Sequence, residues 1–170
     1  MIPAVVLAAG EASRYRAPKQ RLLLPAVLER LASTSIDRIV VVEGAYPLGD
    51  VVPAGVELVH CDDWQRGPGA SLRCALLALG EPEGVVVVLA DGPSLDPRAV
   101  ERVLAHRGEA DVVAASWNGA RSHPLWLARA AWQSVPDEGL RALPAMLVGC
   151  DDLDPPGDVD YVISPERATS

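Results

Sequence analysis

The residues with the plainest chemical potential stand together in one stretch, Leu7-Ala8-Ala9-Gly10-Glu11-Ala12-Ser13-Arg14-Tyr15-Arg16-Ala17-Pro18-Lys19. Leu7 ends an apolar run, and the small side chains of Ala8, Ala9 and Gly10 leave the backbone open to close approach by a ligand. Free N–H groups between a strand and a helix can cradle phosphate oxygens. Arg14, Arg16, Lys19 and Arg21 gather four of the 15 basic residues of a chain whose net charge is −8. Lys19 is the only lysine, and a compact ammonium meets a single anionic oxygen in a way the planar guanidinium fork does not. The stretch has neither P-loop nor dinucleotide-fold glycine spacing. Taken alone, it fits a phosphate loop and a solvated basic surface equally well.

Other residues could join such a loop. Asp91 follows the apolar run Val85-Val86-Val87-Val88-Leu89-Ala90, where a carboxylate can reach the end of a sheet and offer oxygen to Mg²⁺. It also opens an Asp-Gly-Pro turn, for which aspartate needs no metal. Gly67 and Gly69 shape a turn before Ser71, whose hydroxyl can cap a helix or face a phosphate. His123 precedes Pro124 in a turn-rich segment, where a histidine is as readily a hydrogen-bonded filler as a participant. Trp64, Trp117, Trp126 and Trp132 supply bulk in a chain without phenylalanine.

The elements that must position these groups alternate. Residues 2–8, 39–43, 56–60, 84–90 and 111–117 read as strands, and 26–32, 71–79 and 97–106 as helices. The last has Asp96 as N-cap and Pro97 at its first position. Two more helices are expected over 128–134 and 139–148, then a surface excursion over 151–158 and an extended piece over 159–163. Alternation of this kind predicts one α/β domain over 1–170, three-layer α/β/α, with a Rossmann-like, mostly parallel sheet. Ligands then bind beyond the carboxyl ends of the strands, after Ala8, His60, Ala90 and Trp117.

The acidic balance argues against nucleic-acid binding, which calls for a basic face. No run approaches the roughly 18 apolar residues of a membrane span. The apolar start has no basic residues before it and a basic cluster after it, the wrong flanks for a secretory leader, so the reading is cytoplasmic. Cys61, Cys74 and Cys150 lack metal-finger or redox spacing and are expected to be reduced apolar fillers.

Taken in order, the segments resemble the MobA-like nucleotidyltransferases. Leu7 to Gly10, Arg14, Pro18-Lys19 and Leu22-Leu23-Leu24-Pro25 are similar to that family's opening signature. Trp64 to Leu72 resembles its glycine-rich turn, Asp91-Gly92-Pro93-Ser94-Leu95 its Asp-x-Pro-x-Leu metal motif, and Gly119 to Pro124 its Gly-x-x-Gly-His-Pro segment. Asp137-Glu138-Gly139-Leu140-Arg141 resembles its Asp-x-Gly-x-Arg helix start. The resemblance implies the nucleotide-diphospho-sugar transferase type of sheet. It further implies transfer of a nucleotide from CTP or GTP to a small phosphorylated acceptor, molybdopterin in molybdenum cofactor biosynthesis, with release of pyrophosphate. Lys19, Arg14 and Asp91 would be catalytic, and Leu7, Ala8, Ala9, Gly10, Gly67 and Ser71 would bind the nucleotide. His123 and Arg141 would stand on the acceptor side, and Asp91 with Asp160 would hold Mg²⁺ or Mn²⁺. A protein partner for cofactor insertion is also implied. The chain departs from the pattern at Tyr15-Arg16 and after Pro25, where the family's Gly-Gly-x-Pro-Leu/Met segment is missing. A noncatalytic nucleotide-binding relative and a nucleotide-sugar enzyme are the alternatives.

Overall fold

Pro3–Leu7 (β1) carries no charge and has a partner strand on each edge. The computed structural model describes residues 1–10 and 19–157. Lys19–Ala32 (α1) leads to Arg38–Glu43 (β2), parallel to one edge of β1, and Glu57–His60 (β3) lies parallel to β2 beyond it. After Pro68–Ala78 (α2) the chain returns to the other edge of β1, where Gly84–Leu89 (β4) pairs in parallel with Leu7 opposite Leu89. Pro97–Ala105 (α3), Val112–Trp117 (β5), Ala120–Ala128 (β6) and Met146–Gly149 (β7) complete a seven-stranded sheet ordered β3-β2-β1-β4-β6-β5-β7. Only β6 runs antiparallel, paired with β4 and β5, so the sheet is mixed but mostly parallel.

Both faces of this sheet are covered, as expected of Val-rich strands buried on two sides. Val6, Val86 and Val88 pack under Leu24 and Leu31 of α1 and Val100 of α3. The alternating residues Val5, Val85 and Val87 face Leu72, Ala75 and Leu76 of α2. The period-two alternation of a strand thus splits the core into two layers, giving the three-layer α/β/α arrangement. Asp96 caps α3 as expected, its carboxylate accepting from Arg98 N at 2.8 Å.

Several expectations are corrected. α1 begins at Lys19 and runs through Pro25, not from residue 26. Gln20, Leu24, Val27, Leu28 and Leu31 form one buried stripe at helical spacing. Burying those leucines, about 1.5–3 kcal/mol each, outweighs the hydrogen bond that an interior proline forfeits. The segment around His123-Pro124, read as turn-rich, lies within β6. Asn118 and Gly119 at φ 53° and 77° make a two-residue hairpin turn into it. Pro124 sits where the β5–β6 register shifts between Ala114 and Ser116, and such an irregularity accepts a residue without N–H. The helix expected over 128–134 is a 3₁₀ helix, Arg129–Ser134. Over 139–148 only Leu140–Ala142 is helical, again 3₁₀, and β7 follows. Pro144 disfavours helical backbone before it, and the chain continues as a strand parallel to β5.

The segment 151–157 runs over the surface as expected, but two buried residues tie it down. Leu153 is buried and its carbonyl accepts from Trp117 Nε1 at 2.9 Å, while Pro156 O accepts from Ser94 N at 2.9 Å. The extended piece expected over 159–163 lies outside the described residues. Cys61 and Cys74 are not reduced fillers but form a disulfide, with Cα atoms 5.8 Å apart. α2 packs its Cys74 turn against the end of β3, a proximity that sequence spacing does not encode. Cys150 is a free, buried thiol, and burial raises its pKa above the usual thiol value. Among the described residues no helix is long and apolar enough to cross a membrane.

Candidate functional site

The chain leaves β1 toward β2 on one edge and later comes back to β4 on the other, so the gap beyond Leu7 and Leu89 is the topological switch point. In such sheets this is where ligands find a crevice. Backbone bonds hold its floor. Ala8 N donates to Val42 O at 3.0 Å, Ala90 N to Leu7 O at 3.1 Å, and Ala45 N to Ala9 O at 3.0 Å. Lys19, first residue of α1, reaches across the gap to Asp91, two residues past β4, with Nζ 3.1 Å from Oδ2. The two side chains are only 13% and 19% exposed. The other carboxylate oxygen, Oδ1, is buried without a hydrogen-bond partner among the described residues.

A cavity of about 320 Å³ opens here, lined by Leu7, Ala9, Gly10 and Asp91 on the strand side and by Gly67 and Ser71 facing them. Gly67 has φ 134°, and a Cβ there would lie 2.2 Å from Asp137 O. A Cβ on Gly69 would lie 1.6 Å from Pro136 O, and Gly69 N donates to Asp137 O at 2.9 Å. Only glycine lets the start of α2 approach 136–137 so closely. Asp137 secures this wall through Arg73 and through Arg66 at 3.0 Å. The Arg73 hydrogen bond, helped by Arg66 and opposed by partial burial, holds the Asp137 carboxyl below its ordinary value. Trp64 forms another wall. A Cβ on Gly44 would lie 2.6 Å from its Cβ and Cγ, so the indole seats against bare backbone.

A second cavity of about 560 Å³ shares Leu7, Pro68 and Leu89 with the first. Its walls are largely apolar, with Leu72, Val87, Leu125, Leu140 and Pro156 among them. Arg121, His123, Glu138 and Arg141 add polar groups. Arg121 is pinned, its two terminal nitrogens donating to Leu143 O and Leu140 O at 2.6 Å each. Burial, and then the neighbouring Arg141, lower its pKa from the usual guanidinium value. His123 lies against the Asp91–Gly92 turn, because a Cβ on Gly92 would be 2.8 Å from its Nε2.

The geometry therefore gathers Leu7, Ala9, Gly10, Gly67, Ser71 and Asp91 around the smaller cavity, with Lys19 on Asp91. His123 and Arg141 lie on the larger one. Ala8 is in the core, its N–H committed to Val42. Arg14 and Asp160, with Tyr15 and Arg16, lie outside the described residues. Among the described residues no group of three or more His, Cys, Asp or Glu is placed to hold a metal, so Asp91 is the carboxylate that a metal would meet there. The sequence reading missed Gln20, Arg121 as a pinned cavity residue, and the Pro155–Pro156 wall. The first had a readable signal, a glutamine heading an otherwise apolar helical stripe.

Residues 4–146 match the model of the MobA-like NTP transferase domain. The chain belongs to this family of NTP transferase domains. It is similar to Rv0371c from Mycobacterium tuberculosis H37Rv, with TM-score 0.83 and 26% identity over 94% of this chain and 93% of that one. A complex of Rv0371c with manganese superposes with TM-score 0.75 at 23% identity, covering 93% of each chain. The bifunctional protein GlmU of Rubrobacter xylanophilus is 33% identical over 120 residues, which are 64% of this chain and 25% of GlmU. The chain thus spans about a quarter of the length of that relative. CMP:2-keto-3-deoxy-manno-octonic acid synthetase complexed with CTP shares the fold, with TM-score 0.71 and 16% identity over 94% of this chain and 93% of that one.

Proposed function

We propose that residues 1–170 act as a single NTP-transferase domain that binds CTP or GTP in the smaller cavity and a phosphate-bearing acceptor in the larger. The observation that carries this reading is the Lys19–Asp91 pair across the switch point, 3.1 Å apart, with the two cavities meeting at Leu7, Pro68 and Leu89. An acceptor phosphate oxygen would attack the α-phosphorus while the bond to the departing pyrophosphate breaks. That transfer depends on positioning and charge neutralisation and needs no protein nucleophile.

Asp91 would hold a Mg²⁺ or Mn²⁺ ion. Its buried, unpartnered Oδ1 is the hard oxygen donor such a cation takes, and the bound ion would supply charge stabilisation to phosphate oxygens. Asp160 is the proposed second ligand, by resemblance. Lys19 sets an ammonium on the phosphates in place of its hold on Asp91, and Arg14 adds a second positive charge. Gly10, Gly67 and Ser71 line the nucleotide's cavity, where small side chains admit close approach. His123 and Arg141 stand on the acceptor side, in the same lining as the pinned Arg121.

Molybdopterin is the acceptor this reading favours. Apolar walls of Leu72, Leu125 and Pro156 suit a flat heterocycle, and Arg121 and Arg141 suit its phosphate. The cytoplasm, where such triphosphates are made, is the proposed compartment. The test is pyrophosphate release from CTP and GTP, with Mg²⁺ or Mn²⁺, over molybdopterin and a panel of sugar phosphates. Turnover with a sugar phosphate alone would replace the molybdopterin reading. Binding of neither CTP nor GTP would end the nucleotide reading.

A further inference from the structure

Gln20 sits where the packing calls for leucine. It heads the stripe of α1 that continues through Leu24, Val27, Leu28 and Leu31, and it is 9% exposed. Its Nε2 donates to Gly10 O at 3.1 Å. That bond fixes the amide, since a flipped side chain would set two carbonyl oxygens against each other. The acceptor end, Oε1, is buried without a hydrogen-bond partner among the described residues, and Gln20 lines the smaller cavity beside Gly10 and Asp91. A buried acceptor left unmatched is costly, and a leucine there would only extend the stripe.

The chemistry of an amide oxygen limits what it can meet. It repels phosphate oxygens, and it accepts N–H or O–H groups or ligates a hard cation. Gln20 follows Lys19, whose ammonium the nucleotide reading sets on the phosphates, and it shares the cavity lining with Asp91. The hydrogen-bond donors nearest the phosphates in any ribonucleotide are its sugar hydroxyls. We propose that Gln20 is a specificity-determining residue whose Oε1 accepts a hydrogen bond from a ribose hydroxyl of the bound nucleoside triphosphate. Gly10 and Gln20 then act as one relay, the backbone carbonyl orienting the amide and the amide selecting ribonucleotides. This rests on the nucleotide reading above and adds to it the feature of the donor that the site inspects.

The experiment is titration calorimetry of wild type and Gln20→Leu with CTP and GTP and their 2′-deoxy and 3′-deoxy forms, in Mg²⁺, alongside thermal melts. Wild type is expected to bind one deoxy form about tenfold or more weakly, since a buried polar partner is then left unpaired. Gln20→Leu is expected to bind ribo and deoxy forms alike, at about the wild-type deoxy level, and to melt no lower than wild type. Equal losses for both nucleotide forms with a lowered melt would assign Gln20 a merely structural role and overturn the inference. An unchanged ribo-to-deoxy ratio with weakened Mn²⁺ binding would assign Oε1 to a metal-bound water and overturn it too. Gln20→Met repeats the comparison with a different filler should the leucine variant not fold. Failure of wild type to bind any ribonucleotide would sink the nucleotide reading and this inference together, whereas intact wild-type binding with the ratio unchanged sinks the inference alone.

Discussion

Lys19 Nζ and Asp91 Oδ2 lie 3.1 Å apart, and this contact joins the first turn of α1 to the end of β4 across the switch point. In the proposed reaction Lys19 is both the guard of the metal-binding carboxylate and the cation that moves to the phosphates. Lys19→Ala is therefore expected to act in three directions at once. Stability falls by about 1–3 kcal/mol because a carboxylate that is 19% exposed loses its ion-pair partner. Mn²⁺ binds the nucleotide-free variant more tightly, because its competitor for Asp91 is gone. Turnover falls by roughly 10²–10³-fold with the loss of a charge on the phosphates. Denaturation, Mn²⁺ titration and a pyrophosphate assay read the three separately. Mn²⁺ affinity unchanged from wild type would show that Lys19 and the metal do not compete.

How much of this is legible without coordinates differs from element to element. β1, β4 and α3 announce themselves through Val-rich runs and the Asp96 cap, since both signals are local. β6 is hidden by Pro124, although Asn118-Gly119 is the dipeptide that a two-residue hairpin turn favours. β7 is hidden by the apolar spacing of 139–148, which helix and strand share over so short a run. The gathering of Gly10, Ser71 and Asp91 around one cavity follows from strand order, which no local pattern states; the family resemblance names these residues but not that order. The Cys61–Cys74 bond and the pinning of Arg121 are purely tertiary, set by how α2 and Leu140–Ala142 settle on the sheet.

Gly69→Ala is expected to injure the wall between the two cavities. The new methyl would fall 1.6 Å from Pro136 O, a backbone atom that cannot swing aside as a side chain would. The cost is about 1–3 kcal/mol for overpacking, and the Gly69 N–H bond to Asp137 O is strained with it. Gly55→Ala is the comparison, for a Cβ there meets nothing within 4 Å and only its φ of 89° is unfavourable. Melting curves should place Gly69→Ala well below Gly55→Ala, with nucleotide affinity reduced in Gly69→Ala alone. Similar melts would show that 136–137 yields.

The Cys61–Cys74 bond, of sequence separation 13, closes a loop that contains Trp64, Gly67 and Ser71. Closing a loop of this size restricts the unfolded chain, which the chain-entropy account values at about 3 kcal/mol. Reduction with a phosphine, or the Cys61→Ser and Cys74→Ser pair, is expected to lower the unfolding free energy by that order, read as a lower denaturation midpoint. Nucleotide binding should weaken with it, because one side of the smaller cavity loses its tether. Cys150→Ser is the control, a thiol outside that loop. Identical midpoints before and after reduction would mean that packing of α2 alone holds the wall.

Asp137 ties the same wall by charge, and its contribution should follow pH with a definite sign. Its folded pKa is depressed below the ordinary 3.8, first by the Arg73 hydrogen bond and then, against partial burial, by Arg66. A depressed carboxyl binds protons more readily in the unfolded chain, so its stabilisation is complete above that ordinary value and disappears as pH falls through the folded one. Asp137→Asn removes the titrating charge but keeps the backbone carbonyl that receives Gly69 N. The difference in midpoint between wild type and this variant is therefore expected to be constant from neutral pH down to the ordinary value, then to shrink below it. Taking the difference cancels the other carboxylates, such as Asp152, held at about 2 by Arg102, which titrate alike in both proteins. A gap that stays the same at the lowest pH at which both remain folded would mean that Asp137 acts through shape and hydrogen-bond geometry, with its charge contributing nothing.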